Sequence, residues 1–221
     1  MNHNSKLRHK IQATMNVDQH TEQSWVAYGP LPAELQLDDQ MYCALWDMRP
    51  HERHTIKLFG KTCILPREQM VYGVDNYSYS GKVFPSKPIP PLLQKYIDWA
   101  NQFESVVTNK YGTNYIPYNM VLVNWYKDGT DYIGAHRDDE KQIIPQTNVM
   151  TISFGAERTF RIRHDPKQGK GTLAKVDYKV KSNSFLIMGG NFQEEFKHEI
   201  PKTKKVLSSR ISITLRKFNS V

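Results

Sequence analysis

Two side chains with one residue between them carry the first hint of chemistry. In "GAHRDDE", His136 and Asp138 stand two apart, and on extended backbone that spacing puts both on one face. An imidazole beside a carboxylate offers two ligands to a divalent metal. A third must come from elsewhere in the fold. His198, in "FKHEI", is the candidate, because a neighbouring strand would present it to the pair. Two histidines and one carboxylate make the facial set of non-haem Fe(II) oxygenases, which leaves positions open for reactants. The competing readings are a chance His-x-Asp pair and a surface histidine next to Glu199. His51, His54 and His164 lie in polar surroundings and read as surface groups.

An iron site of this kind needs a co-substrate to supply electrons, and 2-oxoglutarate is the common one. It chelates through a keto oxygen and one carboxylate, so its far carboxylate must be neutralised in a place where an unpaired charge is costly. The stretch "RISITLRKF", residues 210–218, has the groups for this. As a strand it places Arg210, Ser212, Thr214 and Arg216 on one face and Ile211, Ile213 and Leu215 on the other. A guanidinium fixed on a strand is a bidentate fork for a carboxylate. The plain alternative is a half-exposed strand whose arginines face water.

These residues need a scaffold. A first helix is expected through "AELQLDDQMYCALW", with Pro32 near its start and Leu37, Met41 and Leu45 as an apolar stripe. "HTIKLFGKTCIL" reads as a hairpin turning at Gly60-Lys61. A second helix is expected from Pro90-Pro91, with Leu92, Leu93, Tyr96, Ile97, Ala100 and Phe103 on one side, ending before Gly112. After residue 115 the apolar period changes to two. "NMVLVNWY", "VMTISFG", "RTFRIRH", "AKVDYKVK", "SFLIMGG", "FKHEI" and "RISITLRKF" are short strands separated by Gly, Pro and Asp punctuation. The expected class is α+β: supporting N-terminal helices around a jelly roll.

The chain has 221 residues, a net charge of +8 and a pI near 9.3, which favours an anionic partner, nucleic acid first and an acidic membrane surface second. Two cysteines, Cys43 and Cys63, without CxxC spacing suggest neither a zinc framework nor a disulfide scaffold. No apolar run reaches the length of a spanning helix. Residues 1–24 are polar and basic, without the apolar core of a signal peptide, and are expected to be a flexible arm. An intracellular monomer is expected, nuclear if the source is eukaryotic.

His136-x-Asp138, His198 and Arg210-x5-Arg216 together resemble the signature of the AlkB family of Fe(II)/2-oxoglutarate dioxygenases. The resemblance runs from about residue 56 onward. "PREQMVYG", "NWYKDGTDYIGAHRDDE", "TISFGAERTFRIRH" and "KKVLSSRISITLRKF" are most similar to animal members that repair duplex DNA.

That resemblance implies a double-stranded β-helix over 115–221, preceded by helices and nucleotide-recognition hairpins over 25–114, the hairpins forming a lid. It implies Fe(II) on His136, Asp138 and His198, and 2-oxoglutarate and O2 as co-substrates. Asn124 and Tyr126 match positions that hydrogen-bond 2-oxoglutarate. Arg210 matches the grip on its distal carboxylate, and Arg216 lies nearer the metal-bound one. Glu140, Tyr77 and Tyr79 match positions around the damaged base, and Ser80 follows in that segment. Arg67 matches a contact to the substrate strand. Phe59, at the hairpin tip, matches an aromatic wedge that fills the gap left by a flipped base. Lys170, Lys204 and Lys205 fall in two basic clusters suited to phosphates, while Gln168 and Thr203 stand where the family has basic residues. These residue types suit the task, because a base must leave the stack to be worked on and is then held by aromatic faces.

The expected function is oxidative dealkylation of N-alkylated bases, 1-methyladenine and 3-methylcytosine, in DNA, with succinate and formaldehyde released. The alternatives are the same chemistry on RNA, a non-catalytic nucleic-acid-binding module with an inert metal site, and a protein or small-molecule hydroxylase of the same fold.

Overall fold

The structure is a computed structural model. It describes residues 15–219 apart from 59, 75, 80–81, 112–114 and 166–174, with side chains described for these except at 57–58, 76–79, 82, 85 and 106–111. Eight strands make the jelly roll: β8 (Met120–Tyr126), β9 (Ile133–His136), β10 (Val149–Gly155), β11 (Arg158–His164), β12 (Val176–Val180), β13 (Ser184–Gly190), β14 (Phe196–Ile200) and β15 (Arg210–Arg216). They are dealt to two sheets. β13-β10-β15-β8 form the middle of a nine-stranded sheet, and β12-β11-β14-β9 form a four-stranded sheet facing it. This is the expected double-stranded β-helix.

The nine-stranded sheet is extended on one side by β2 (Ser24–Pro30) and β1 (Asn16–Gln19), and on the other by β5 (Glu68–Tyr72), β7 (Lys82–Lys87) and β6 (Asn76–Tyr79). The predicted flexible arm is therefore too long by a strand. Asn16–Gln19 pairs antiparallel with Trp25–Tyr28, because an edge strand needs only a neighbour's free N–H and C=O row, not an apolar pattern of its own.

Helix α1 (Asp39–Asp47) also starts later than predicted. Pro32 leads only a 3-10 turn, Ala33–Leu35, and Gln36 is extended. The α-helix begins where the Asp38 carboxylate accepts the Met41 N–H at 2.8 Å. Helix α2 (Pro91–Tyr111) matches the prediction. Its Leu93, Tyr96, Ile97, Ala100 and Phe103 pack on one face of the large sheet, against Val121, Val123, Trp125, Ile152, Ile211, Ile213 and Leu215. Burying each such aliphatic side chain contributes about 1.5–3 kcal/mol.

The opposite face of that sheet looks into the roll. All seven residues of β15 are buried, the arginines included. β3 (Thr55–Leu58) and β4 (Lys61–Ile64) form the predicted hairpin, with one shift: Lys61 pairs with Leu58, so Lys61 belongs to the strand and not to the turn. Gly60 supplies the positive φ, +77°. The hairpin is tied to the roll through Arg53, just before β3. Arg53 forks onto Asp131 through two 2.8 Å bonds and donates to Glu68 at 3.0 Å.

Candidate metal and co-substrate site

His136 and His198 lie directly opposite one another on the antiparallel pair β9–β14. Opposite residues project to the same side of a sheet, and here the two rings stand 4.2 Å apart, centroid to centroid. Asp138 follows two residues after His136, just past the strand end. His136 Nε2 lies 3.7 Å from its Oδ1 and His198 Nε2 lies 4.0 Å from it. One ligand atom from each of the three residues falls within 4.8 Å of the others.

The surroundings orient this set. The Gly134 carbonyl only accepts, so His136 Nδ1 donates to it, at 2.9 Å, and Nε2 keeps its lone pair for a metal. Phe160 stacks parallel to the His198 ring at 5.3 Å. The Asp138 backbone N–H donates to Gln193 Oε1 at 2.9 Å, from the short helix α3 (Phe192–Glu195).

Burial pushes His198 down to about 3, aided by neighbouring His136. Burial also lowers His136, against the opposing pull of Asp138 and the Gly134 carbonyl. For Asp138 burial acts upward, but Arg216 first, then His198 and His136, hold its carboxyl below the ordinary value. Near neutral pH both imidazoles are neutral and the carboxylate is ionised, the forms that bind a cation.

Across the roll, β15 and β8 supply the other wall. Asn124, Tyr126, Arg210, Ser212, Thr214 and Arg216 line the same cavity as the three ligands. Arg210 is 1% exposed. Its Nη2 donates to Ser153 Oγ at 2.9 Å and its Cζ sits 5.1 Å from the Tyr126 ring centroid. Among the described residues, its Nε and Nη1 are buried with no acceptor, and Asp138 Oδ2 is buried with no donor. Orphaned buried polar groups are costly, charged ones most of all. A cation with two unused donors fits a carboxylate, and a carboxylate oxygen with no donor, beside two neutral imidazoles, fits a metal ion. The donor set therefore suits Fe(II) and an anionic chelating co-substrate.

Arg216 bridges two acids, donating to Asp138 Oδ1 and, at 3.0 Å, to Glu140 Oε1. It thereby links the base-contact candidate to a metal-ligand candidate. Arg67 needs correction. Expected at the substrate strand, it is 3% exposed, and it donates to Asn124 Oδ1 at 2.7 Å and Gln69 Oε1 at 3.2 Å. Its neighbours are buried amide oxygens, so it faces inward and braces Asn124. Tyr77 and Tyr79 lie on β6, with side chains outside the described residues. Phe59, Ser80 and Lys170 lie wholly outside them, as does Gln168. Lys204 and Lys205 are exposed in the loop before β15.

Three supporting residues escaped the reading of the sequence. Ser153 could have been found, since Thr151 and Ser153 put two hydroxyls on one face of an otherwise apolar strand, opposite Thr214 and Ser212. Gln193 and Arg158 gave no signal of their own.

The sequence profile of the 2OG-Fe(II) oxygenase superfamily matches residues 36–216. The chain belongs to that superfamily. Within it the relatives are of AlkB type, and the chain is an AlkB-family member. Among them are the human and mouse proteins named DNA oxidative demethylase ALKBH2, each 36% identical over 167 residues, 73% of this chain. Mouse alkB homolog 3, named an alpha-ketoglutarate-dependent dioxygenase, is 32% identical over 45% of this chain and 36% of its own length. The chain spans 60% of the human ALKBH2 and 66% of the mouse one. The solved structure of OsALKBH1 superposes with a TM-score of 0.56 at 16% identity, covering 91% of this chain and 100% of that one, so the fold is shared. No helix among the described residues is long and apolar enough to cross a membrane.

Proposed function

We propose that this protein is an Fe(II)/2-oxoglutarate-dependent dioxygenase that dealkylates N-alkylated bases in DNA, with 1-methyladenine and 3-methylcytosine as substrates. One observation carries the reading: two neutral imidazoles and a carboxylate converge on a cavity whose opposite wall holds a buried guanidinium with two unpartnered donors. With Fe(II), 2-oxoglutarate and O2 in place, the site would hydroxylate an N-methyl carbon with one oxygen atom of O2 while the other goes into succinate as the co-substrate loses carbon dioxide, after which the hydroxymethyl group leaves the base as formaldehyde.

The protein's part is to hold and position. His136, Asp138 and His198 hold the iron. Arg210 fixes the distal carboxylate of 2-oxoglutarate, and Asn124 and Tyr126 hydrogen-bond it. Arg216 holds the Asp138 carboxyl below its ordinary value and fixes Glu140 in place, so that the acidic side of the pocket favours a cationic alkylated base. Tyr77 and Tyr79 supply aromatic faces for that base, with Ser80 beside them. Lys170, Lys204 and Lys205 take backbone phosphates. The names of the ALKBH2 relatives support the choice of DNA.

The test is mass spectrometry of methylated oligonucleotides incubated with protein, Fe(II) and 2-oxoglutarate, alongside a succinate assay. Loss of one methyl mass from duplex DNA, dependent on both cofactors, is expected. Faster turnover of matched RNA would move the substrate class. No succinate from iron-loaded protein would remove the enzyme. Duplex preference rests on Phe59. Phe59→Ala should lower turnover on double strands more than on single strands, and equal loss on both would remove the wedge.

A further inference from the structure

Arg158, at the start of β11, is 2% exposed, and among the described residues no carboxylate lies within a hydrogen bond of it. Its guanidinium instead collects backbone carbonyls. Nη1 donates to Asp128 O at 3.1 Å, and Nη2 to Asp131 O at 2.8 Å, to Pro201 O at 3.0 Å and, more weakly, to Gly129 O at 3.4 Å. Three of these carbonyls belong to the turn after β8. The fourth opens the segment 201–209, which carries Lys202, Lys204 and Lys205.

Over residues 202–207, between its two anchored ends, that segment is held by few contacts. Its three lysines are exposed, and its large apolar side chain, Leu207, is 86% exposed, so burial does not anchor it. Ser209, at its far end, is held by the Ala156 N–H, which donates to its carbonyl at 2.8 Å, and by Tyr42 Oη, 2.9 Å from its Oγ; residues 201–206 have a second clasp against the same turn, in which Gly129 N–H donates to Val206 O and Thr203 N–H to Gly129 O, each at 2.8 Å. Gly129 leaves no room for a side chain, since a Cβ there would lie 2.4 Å from Thr203 O. Arg158 also stands 5.7 Å from the ring of Tyr126, whose centroid is 5.1 Å from Arg210 Cζ. One buried guanidinium thus joins the co-substrate wall to the root of the lysine segment.

We propose that Arg158 is a positioning residue that holds the Pro201–Val206 segment in register with the cavity, so that its lysines meet the phosphates of a bound nucleic acid. The nucleic-acid half rests on the function proposed above; the clasp itself does not. A planar fork with five donors reaches several carbonyls at once, whereas an ammonium is a point charge. Arg158→Lys should therefore fail to restore what Arg158→Met loses, although it keeps the charge.

The experiment compares wild type, Arg158→Met, Arg158→Lys and Gly129→Ala, each confirmed folded by circular dichroism. Gly129→Ala strikes the clasp without touching Arg158. Amide hydrogen exchange at residues 129 and 203 is read first and should accelerate about tenfold or more in all three variants. Binding of a methylated duplex oligonucleotide is then measured against salt. The slope of log affinity on log salt should flatten by about 1 to 3 as up to three phosphate contacts are lost. Unchanged exchange, an unchanged salt slope, or full recovery by Arg158→Lys would overturn the proposal. If wild type binds no nucleic acid while exchange still accelerates in the variants, the clasp stands and the function proposed above falls.

Discussion

Arg210 shows how a single residue reports on an absent partner. Two of its N–H groups are buried without an acceptor, so in the protein alone it costs folding energy that a neutral side chain would not. Two results follow, of opposite sign. Arg210→Met should raise the melting temperature of the ligand-free protein. It should also weaken 2-oxoglutarate by about 1.5–3 kcal/mol, the range for hydrogen bonds to a charged group, which is about 10- to 100-fold in KM. Calorimetry and a succinate assay read the two separately, and a variant less stable than wild type would show that Arg210 is satisfied within the chain. Arg210 was legible in the sequence because strand period alone put it on the polar face of a strand whose other face is Ile, Ile and Leu. Arg67 and Gln193 were not. The same residue type serves as surface contact or buried brace, and the difference lies in amide oxygens supplied by Asn124, 57 residues on, and by Gln69. Spacing along the chain holds no trace of such partners.

At the scale of elements, strands of the jelly roll were legible wherever two-residue alternation ran for five residues or more. Four kinds of element escaped, β2 among them, since the apolar residues of "SWVAYGP" run together rather than alternate. β9, with glycine and alanine in "IGAH", has too little pattern to show. β5 to β7 lie in a stretch punctuated by Gly and Pro. β1 is polar and looks like a tail. What fixes β1 is tertiary: His20, just after it, is 2.7 Å from Tyr178 Oη, whose hydroxyl donates to Asp18 at 2.9 Å, and its ring meets Phe196 edge-on at 5.7 Å. This small network ties the edge of the nine-stranded sheet to β12 and β14 of the other. Burial lowers His20 below its ordinary 6.5, against the opposing charge of Asp18. The unfolded chain therefore takes up a proton at a higher pH than the folded one. The contribution to stability is whole above about 6.5 and is lost as pH falls through the folded value. Protection of the Asn16–Gln19 amides, with exchange taken relative to the intrinsic rate at each pH, should fall on acidification below pH 6.5 more than protection in β8 does. His20→Gln should remove that extra sensitivity, and retention of it in the variant would assign the acid response to another group.

On the scale of the whole molecule, the division of labour between the sheets decides what ligands do to stability. The histidines ride on β9 and β14 of the four-stranded sheet, and Asn124, Tyr126 and Arg210 on β8 and β15 of the nine-stranded one. A metal ion on His136, Asp138 and His198 touches the first sheet and the loop after it. A chelating acid that reaches from that metal to Arg210 ties the sheets together. Mn(II), a divalent ion next to Fe(II) in affinity for nitrogen and oxygen ligands, separates the two effects. A ligand at a hundredfold excess over its Kd stabilises by about 2.7 kcal/mol, or about 5–11 °C in melting temperature for a chain of this size. Mn(II) alone should protect β9 and β14 amides from exchange. Mn(II) with 2-oxoglutarate should add a second increment of stability and extend protection to β8 and β15, and a chelator should reverse both. The order matters, because the acid has its chelating end on the metal: 2-oxoglutarate without metal should protect neither sheet. Full protection of both sheets by Mn(II) alone would mean that the roll is already rigid across its interior. The buried guanidinium would then be no anchor for the co-substrate, and the unpartnered donors of Arg210 would need another explanation.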